Sequence, residues 1–356
     1  MGFEIDFLPV GNGKKSGDAI GIRYGQPNDY TIMVIDGGTK ESGKNLVEHI
    51  KKYYETTYVD YVVNTHPDMD HASGLTVVLD ELEVGELIMH LPWEHSEEIR
   101  NAFNDGRITD SSLSDRLQDA YNAAYNLWKL AKEKGIPIRE PFSGEEIGAF
   151  RVLSPTKEFY QENLIYSDKT PKENKFIKFI KESAKKAIEY IYTTWDKEML
   201  REDVSTSPEN ENSVILYGLI DGKGILFTGD AGVRGLNLAA DRAESLDINL
   251  EDCRFQQVPH HGSRRNVSSN TLNRIVGSCL QKGQSKNMSA YISASEKSNS
   301  HPKRSVVNAY IRRGASVFTT EGNVKWHHNN MPLREDYSQA IELEFSNRVE
   351  SWGKNE

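Results

Sequence analysis

The chain has 356 residues, a formal net charge of −10 and a pI near 5.6. This length is sufficient for one large domain or two modest ones, and the acidic balance excludes a surface that captures nucleic acid broadly by charge. The two cysteines, Cys253 and Cys279, lack C-x-x-C spacing, which argues against a disulfide framework or a thiolate zinc site. The longest apolar run, Val214 to Ile220, is far shorter than the roughly 18 residues of a membrane helix, and no signal-like segment begins the chain. We therefore expect a cytoplasmic protein with no membrane part.

In the first 93 residues, apolar segments separated by glycine-rich turns predict strands. Tyr58 to Val63 is one such strand, and a polar loop follows it. The pattern then predicts a helix over about His71–Glu83 and a strand over Glu86–His90.

Between residues 94 and 210 the pattern becomes typical of amphipathic helices. Apolar side chains recur at spacings of three and four in two stretches, which are Leu113, Leu117, Tyr121, Ala124, Trp128 and Ala131, and then Phe176, Ile180, Ala184, Ile188, Ile191, Trp195 and Met199. Ile147 to Leu153 predicts a core strand between them, and strands return from Ser213 onward. We therefore expect a single domain over residues 1–350 with helical insertions at about 94–146 and 156–210. Solvated charged faces are expected on the insertions, and a homodimer or regulatory-partner contact is the alternative.

The polar loop from Asn64 to Gly74 holds four candidate metal ligands within six residues, His66, Asp68, Asp70 and His71. Residues at alternate positions of such a loop can converge on one point, so His66 and Asp68 can share one cation while Asp70 and His71 turn towards a second. Turn formation by itself does not require histidine. The spacing therefore predicts two metal ions.

Further segments accompany this loop along the chain. They are Phe7 to Gly13, Gly17 to Ile20, Ile32 to Gly38, Ile225 to Asp230, Val258 to Ser263 and Ser298 to Pro302. Together with the loop, they resemble the motifs of the metallo-β-lactamase superfamily. The opening and closing segments, and Asp68 in place of the usual histidine, resemble the nuclease-like domain of the competence protein ComEC. The resemblance implies an α/β (α+β) fold, the αββα metallo-β-lactamase sandwich, carrying the helical insertions.

The resemblance also implies a dinuclear metal site bridged by Asp230 and a hydroxide. One metal would be held by His66, Asp68 and Asp230, and the other by Asp70, His71, Asp230 and His301. The histidine of the family's third motif is absent from Asn210 to Ser213, where Asn212 either binds metal through its amide oxygen or caps a turn. Three carboxylates and three imidazoles make an oxygen-rich site that favours Mn²⁺, with Zn²⁺ or Mg²⁺ as the alternatives.

His260 and His261 are candidate proton donors to the leaving alkoxide, because histidine titrates near neutrality. Together with Asp70, which would act on the metal and its hydroxide, they form the predicted catalytic set. Beside them, Ser263 is a candidate phosphate contact in a tight Gly-Ser turn. Arg264 and Arg265 are either a phosphate clamp or plain surface charge.

Two other groups of residues are weaker candidates. His90 and His95 follow a predicted strand and either line the substrate mouth or are structural. The glycine-rich stretch Gly11 to Ser16 lacks P-loop spacing, so we interpret it as a turn whose Lys14 and Lys15 are candidate contacts for a nucleic-acid strand.

The function predicted from these motifs is a metal-dependent phosphodiester hydrolase, specifically a nuclease with DNA as its substrate. One alternative is a hydrolase of small phosphodiesters such as cyclic nucleotides, which the acidic surface would tolerate better. A hydrolase of lactones or lactams is a third hypothesis. A partner-binding module with a degenerate first metal site is the non-enzymatic alternative, against which Asp70, His71, Asp230 and His301 count.

Overall fold

A computed structural model describes residues 1–11, 17–103, 108–170, 189–298 and 301–352. Its strands are β1 (Gly2–Phe7), β2 (Ala19–Gln26), β3 (Asp29–Gly37), β4 (Tyr58–Val63), β5 (Glu83–Ile88), β6 (Ile138–Arg139), β7 (Glu146–Ile147), β8 (Phe150–Ser154), β9 (Tyr190–Tyr192), β10 (Ile215–Ile220), β11 (Lys223–Phe227), β12 (Cys253–Gln257), β13 (Ser289–Ile292), β14 (Ser316–Thr319), β15 (Lys325–Asn329) and β16 (Arg348–Glu350). Its helices are α1 (Lys40–His49), α2 (Met69–Ala72), α3 (Leu75–Glu81), α4 (Ser96–Arg100), α5 (Asp110–Ala120), α6 (Asn122–Glu133), α7 (Lys157–Tyr166), α8 (Pro208–Glu211), α9 (Val233–Glu244), α10 (Ser269–Ile275) and α11 (Arg304–Arg312). Within these ranges, none of the helices has the length and apolarity needed to cross a bilayer.

The strands form two large sheets that pack face to face. One has the order β15-β1-β2-β3-β4-β5-β6, and the other has the order β14-β13-β12-β11-β10-β8-β7. Phe7, Phe227 and Phe255 belong to the apolar core between the sheets. Helices α1, α3, α5 and α6 cover the outer face of the first sheet, and α9, α10 and α11 cover that of the second. The α/β fold predicted from the sequence is confirmed as an αββα sandwich.

The pattern of β3 shows why this layering follows from the sequence. Side chains of a strand alternate between its two faces. Ile32 and Val34 therefore join the core beneath the helices, whereas Met33 and Ile35 join the core between the sheets. A strand buried on both faces is a continuous apolar run, as expected for a central parallel strand.

Parallel pairing brings the carboxyl ends of the central strands to one edge. In the first sheet, β3 pairs in parallel with β4 and β4 with β5. In the second sheet, β11, β12, β13 and β14 pair in parallel with their neighbours. The loop after β4 also contacts the second sheet. The backbone N–H of Val214, just before β10, donates to the carbonyl of Thr65 at 3.0 Å.

The predicted helix after the polar loop is interrupted. The strand over Tyr58–Val63 is confirmed, but the following helix forms two pieces, α2 and α3, separated by Ser73 and Gly74. A Cβ on Gly74 would lie 1.9 Å from the carbonyl oxygen of Gly37. This close approach fixes the metal loop against the end of β3.

Two other predicted elements differ from the structure. The strand expected over Glu86–His90 is displaced and covers Glu83–Ile88. The single strand expected from Ile147 to Leu153 is a hairpin of β7 and β8, turned at Gly148, whose φ is +58°. Glycine accepts this left-handed conformation without steric cost.

The two helical patterns of the middle region had different outcomes. The first forms α5 and α6, which break at Tyr121. The second is wrong where it is described, because Ile191 lies in β9 and Trp195 and Met199 lie outside the helices. Its positions 176–188 lie outside the described residues. The single domain over 1–350 and the two insertions remain predictions. Strands β6 and β7, which begin within the first predicted insertion, belong to the two large sheets.

Candidate metal centre

Four histidines surround the carboxylate of Asp230, which lies in the loop after β11. The Nε2 atoms of His71 and His260 each lie 3.6 Å from its Oδ2. Nε2 of His66 lies 3.8 Å from the same oxygen, and Nε2 of His261 lies 3.7 Å from Oδ1. The first sheet contributes His66 and His71, and the second contributes Asp230 and the histidine pair.

The other ring nitrogen of each of these histidines faces a hydrogen-bond acceptor. Nδ1 of His71 lies 2.8 Å from a carboxylate oxygen of Asp36. Nδ1 of His261 lies 3.1 Å from the carbonyl oxygen of Ser293, and Nδ1 of His260 lies 2.9 Å from Oδ1 of Asn266. The contacts of His71 and His261 place the proton of a neutral imidazole on Nδ1 and leave the lone pair of Nε2 directed towards Asp230. Nδ1 of His260 also lies 2.9 Å from Nδ2 of Asn210, which is a donor, so its two neighbours do not fix its tautomer.

His66 follows the same rule through Thr65. The hydroxyl of Thr65 donates to Asp36 at 2.6 Å, so its oxygen is free to accept from Nδ1 of His66 at 3.0 Å. Histidines that bind metals are usually oriented by such contacts of the second nitrogen. The tautomers of His66, His71 and His261 thus suit metal binding through Nε2.

Asp36 braces this arrangement from the end of β3, as the resemblance implied. Its carboxylate also accepts from the backbone N–H of Thr65 at 2.8 Å and from Nδ2 of Asn64 at 3.3 Å. Although burial raises it, the pKa of Asp36 is lowered by His71 and by its hydrogen bonds. Asp36, His66 and His71 lie close enough together to share a metal ion. Because the oxygens of Asp36 already accept these hydrogen bonds, however, Asp36 supports the two histidines and does not bind the metal itself.

The cluster fits a divalent cation. Nε2 of His66 and Oδ1 of Asp230 are buried and have no hydrogen-bond partner among the described residues, which is costly unless another group satisfies them. His71, Asp230 and His261 present ligand atoms within 4.8 Å of one another. Although burial opposes it, Asp230 and Asp36 hold the pKa of His71 well above its usual value. The cluster therefore attracts positive charge.

The remaining predicted ligands lie around this centre. Asp68 is in contact with Lys169, whose Nζ lies 2.8 Å from Oδ1. Asp70 is partly buried at the start of α2, and its charge acts on His261. His301 stacks on His260 with ring centroids 6.0 Å apart. The site assignments of Asp68, Asp70 and His301 remain predictions.

Burial dominates the titration of two of the histidines. It lowers the pKa of His261 to about 4 and that of His301 to about 3. Both rings are consequently neutral at pH 7, as a metal ligand must be. The side chain of His260 is 28% exposed, so it is the member of the pair that a substrate can reach.

Asn212 does not supply the missing third-motif histidine. Its Oδ1 accepts from Nδ2 of Asn163 at 2.7 Å, and its Nδ2 donates to the carbonyl of Tyr160 at 3.1 Å. Both ends of the amide are thus used inside the protein, in agreement with a turn-capping role after α8. The segment from Asn210 to Ser213 contains no histidine that could take this role.

The predicted substrate contacts beside the histidine pair are only partly accessible. Arg264 is 3% exposed, and its guanidinium donates to the carbonyl oxygens of Glu350 and Ser351 at 2.9 and 3.0 Å. The structure therefore uses Arg264 to anchor the C-terminal segment, which argues against a phosphate clamp at this residue. Arg265 is exposed, and Ser263 is buried. Lys14 and Lys15 lie outside the described residues.

His90 and His95 are buried and structural rather than positioned at an open mouth. Nε2 of His95 lies 3.1 Å from Glu140, and the ring of His90 stacks on Tyr160 with centroids 4.3 Å apart. Although burial raises it, hydrogen bonds from these two histidines lower the pKa of Glu140 to about 2.

Sequence reasoning gave no role to three residues of the site. Asp18 lies 3.8 Å from Nδ1 of His71 and accepts from Nε2 of Gln257 at 2.9 Å. Asn266 orients His260 and also donates to the carbonyl of Asp230 at 2.8 Å. Lys169 contacts Asp68. Asp18 lay in a recognised motif and was therefore discoverable, but a lysine 101 residues from its partner carried no local signal.

Comparisons with known proteins agree with the fold. The family model described as the metallo-beta-lactamase superfamily matches residues 25–142, which include β3 to β6, Asp36 and the metal loop. No curated protein sequence matches the chain.

Several solved structures are distantly similar. A metallo-beta-lactamase with a HARLDQ motif from Cronobacter sakazakii is 13% identical, over 61% of this chain and 60% of that chain, with a TM-score of 0.28. The metallo-beta-lactamase SMB-1 is 11% identical, over 76% of this chain and 86% of that chain, with a TM-score of 0.31. AidC, a dizinc quorum-quenching lactonase, is 11% identical, over 65% of this chain and 67% of that chain, with a TM-score of 0.31. These similarities are too distant to bear on substrate or metal.

The matched segment and the αββα sandwich agree with the metallo-β-lactamase fold.

Proposed function

We propose that this protein is a metal-dependent phosphodiester hydrolase with DNA as its substrate. The observation that carries the proposal is the convergence of four imidazole Nε2 atoms on Asp230, with Nδ1 of His66, His71 and His261 each facing an acceptor. The choice of a phosphodiester rests on Asp68 in place of a histidine and on the closing segments around His261 and His301, which resemble the ComEC nuclease-like domain.

The residues have distinct roles in this proposal. His66, His71, His261 and Asp230 hold the metal, with Asp68, Asp70 and His301 as further candidate ligands. Bound divalent cations supply an activated water and polarise the phosphoryl oxygen. His260, the more exposed of the pair, delivers a proton to the leaving alkoxide.

The donor set bears on which metal is bound. Mn²⁺ was favoured on a count of three imidazoles and three carboxylates, but His260 and His261 also point Nε2 at Asp230, and Asp68 is paired with Lys169. A more nitrogen-rich set shifts binding towards Zn²⁺. We accordingly propose that Zn²⁺ binds most tightly and that Mn²⁺ and Mg²⁺ are the alternatives to test for activity.

A hydrolase of small phosphodiesters is the second candidate. The formal net charge of −10 favours it, and so does the burial of Arg264, which removes one cation from the proposed DNA surface. The same cluster would serve both substrates, because each presents the same phosphodiester group.

Activity can be tested with metal-free protein reloaded with Zn²⁺, Mn²⁺ or Mg²⁺. Substrates would be plasmid, single-stranded DNA, RNA and bis(p-nitrophenyl) phosphate. We expect hydrolysis of DNA and of the dye substrate in at least one metal, and its loss in Asp230→Asn. The matched control is Asp247→Asn, an exposed position whose positive φ of +57° asparagine tolerates. Failure of every metal to support phosphodiester cleavage would exclude the proposal.

Salt separates DNA from a small substrate. The Asp70→Ala variant would be titrated with labelled DNA and with small phosphodiesters across a series of monovalent salt concentrations. Binding of a single strand should weaken with a slope of about −0.7 for each contacted phosphate, whereas a ligand with one or two phosphates should respond far less. Tight, salt-independent binding of the small ligand, with no DNA binding at low salt, would promote the second candidate.

A further inference from the structure

A lysine from outside the recognised motifs reaches the metal loop. Lys169 follows α7, and its Nζ lies 2.8 Å from Oδ1 of Asp68. The two side chains are 35% and 36% exposed, so their contact lies at the mouth of the site. Asp68 is two residues from His66, and the two side chains interact electrostatically. The ammonium group is thus beside the imidazole cluster and open to solvent.

A buried network holds the turn that carries this lysine. The hydroxyl of Ser167 donates to Glu209, as does the hydroxyl of Tyr121 at 3.1 Å. The backbone N–H of Lys169 donates to the oxygen of Ser167 at 3.0 Å. The ammonium also lies 4.8 Å from the centroid of the Tyr121 ring, a cation–π contact. The backbone of Lys169 is therefore held by Ser167, and its ammonium group is held by Asp68 and the Tyr121 ring.

Stability alone is a weak reason for such an arrangement. An exposed ion pair contributes little to stability, whereas Ser167, Tyr121 and Glu209 are buried polar groups that need hydrogen-bond partners whatever their use. An ammonium has three N–H donors, and Asp68 is the acceptor described for one of them. Among the described residues no second acceptor faces this ammonium group, which leaves its other two N–H groups for an anion at the metal centre.

We propose that Lys169 is a substrate-binding residue whose ammonium group donates hydrogen bonds to a non-bridging phosphate oxygen at the metal centre. It supplies the positive charge that Arg264 does not, since that guanidinium is buried against the C-terminal segment. This inference rests on the proposed function, because the anion it binds is the scissile phosphate or the phosphate of a product.

The test compares Lys169→Met and Lys169→Arg with wild type, all loaded with the same metal. Affinity for inorganic phosphate would be measured by calorimetry, and KM and kcat with bis(p-nitrophenyl) phosphate. Because a hydrogen bond to a charged group is worth about 10-fold to 100-fold in affinity, Lys169→Met should weaken phosphate binding by that factor. Lys169→Arg should recover most of it. Lys157→Met is the matched control, an exposed lysine at the start of α7 that pairs with Glu98, and should bind as wild type does.

The phosphate measurement keeps this inference separate from the proposed function. Loss of phosphate affinity in Lys169→Met, in protein that cleaves no phosphodiester, would support the lysine's role while refuting the activity. Equal phosphate affinity in Lys169→Met and wild type would overturn the inference, as would wild type that binds no phosphate. A fall in bound metal in Lys169→Met would also overturn it, because the lysine would then support the loop rather than the substrate.

Discussion

His260 and His261 are adjacent in sequence but occupy different environments. Both have left-handed backbone conformations, with φ of 48° and 56°, which turn both rings towards Asp230. His261 is 5% exposed and is fixed by the carbonyl of Ser293, whereas the side chain of His260 is 28% exposed. Burial suits a metal ligand, and exposure suits a group that must meet a leaving oxygen.

The pair can be separated by mutation. His261→Ala should lose metal, because a ligand is removed. His260→Ala should keep most of its metal and lose activity on DNA by about 10² to 10⁴, the usual contribution of a general acid, with a smaller loss on a substrate whose leaving group needs no proton. Metal content and the two rates decide the matter. Full activity of both variants on DNA would remove this segment from the mechanism.

At the scale of secondary structure, close backbone contacts fix the metal loop. The backbone N–H of Gly74 donates to the carbonyl of Gly38 at 2.9 Å. No side chain fits there, because a Cβ on Gly74 would meet the Gly37 carbonyl. The break between α2 and α3 therefore follows from packing against the end of β3 and not from a poor helix sequence.

Gly74→Ala should lower the free energy of unfolding by about 3 kcal/mol, the upper end of overpacking costs. Its φ of −70° is ordinary, so the cost is steric. Gly135→Ala is the control, since that glycine has a φ of +70° but nothing within 4 Å of an added Cβ. Chemical denaturation of both variants measures the difference. A cost at Gly74 no larger than at Gly135 would contradict this account of the loop.

Glu140, just after β6, contacts the segment after β5, and its contribution to stability depends on pH. Its carboxylate accepts from the backbone N–H of Leu91 at 2.8 Å and from His95. Because hydrogen bonds lower its pKa from 4.5 to about 2 against the effect of burial, Glu140 stabilises the folded state above pH 4.5. That contribution is lost as the pH falls towards 2.

Glu140→Gln should therefore flatten the dependence of stability on pH over this acid range. Denaturation of wild type and variant at several pH values between about 2 and 6 would measure it. Glu145→Gln, at an exposed position, is the control and should retain the wild-type slope. Identical slopes for Glu140→Gln and wild type would show that the carboxylate does not titrate as proposed.

On the scale of the whole molecule, the C-terminal segment ties the two halves together. Arg334 donates to Asp6 at 2.8 Å and to Glu4 at 2.9 Å, on β1 of the first sheet. Further along, the backbone N–H of Leu343 donates to the carbonyl of Val317 in the second sheet at 2.8 Å. The segment that follows β15 thus contacts both large sheets.

Arg334→Met should lower the free energy of unfolding by about 3 kcal/mol, the lower end for breaking a buried ion pair, because Arg23 still pairs with Glu4 and His49 still contacts Asp6. Glu4 and Asp6 are both 0% exposed. The control is Lys52→Met, whose partner Asp336 is exposed, and it should remain close to wild type. Thermal or chemical unfolding provides the comparison, and equal stability of the two variants would contradict a role for this network.

The sequence by itself predicted the fold, several of its elements and a set of candidate metal ligands. Strand β4 and the alternation within β3 follow from local apolar patterns, because period-two burial is visible in a short segment. The predicted ligands His66, His71 and Asp230 are brought together as the motif order implied. Gly74 shows where local pattern was insufficient, since the clash that breaks the helix involves a residue 37 positions away.

Only the tertiary structure decided which charged groups face the site. Arg264 is next to the histidine pair in sequence, but its guanidinium turns towards the C-terminal segment. Lys169 is distant from every motif, yet the fold brings it to Asp68. Direction and exposure of a side chain depend on contacts between remote segments, and no local periodicity encodes them. For the same reason, the sequence predicted a metal site but not the accessibility that separates His260 from His261.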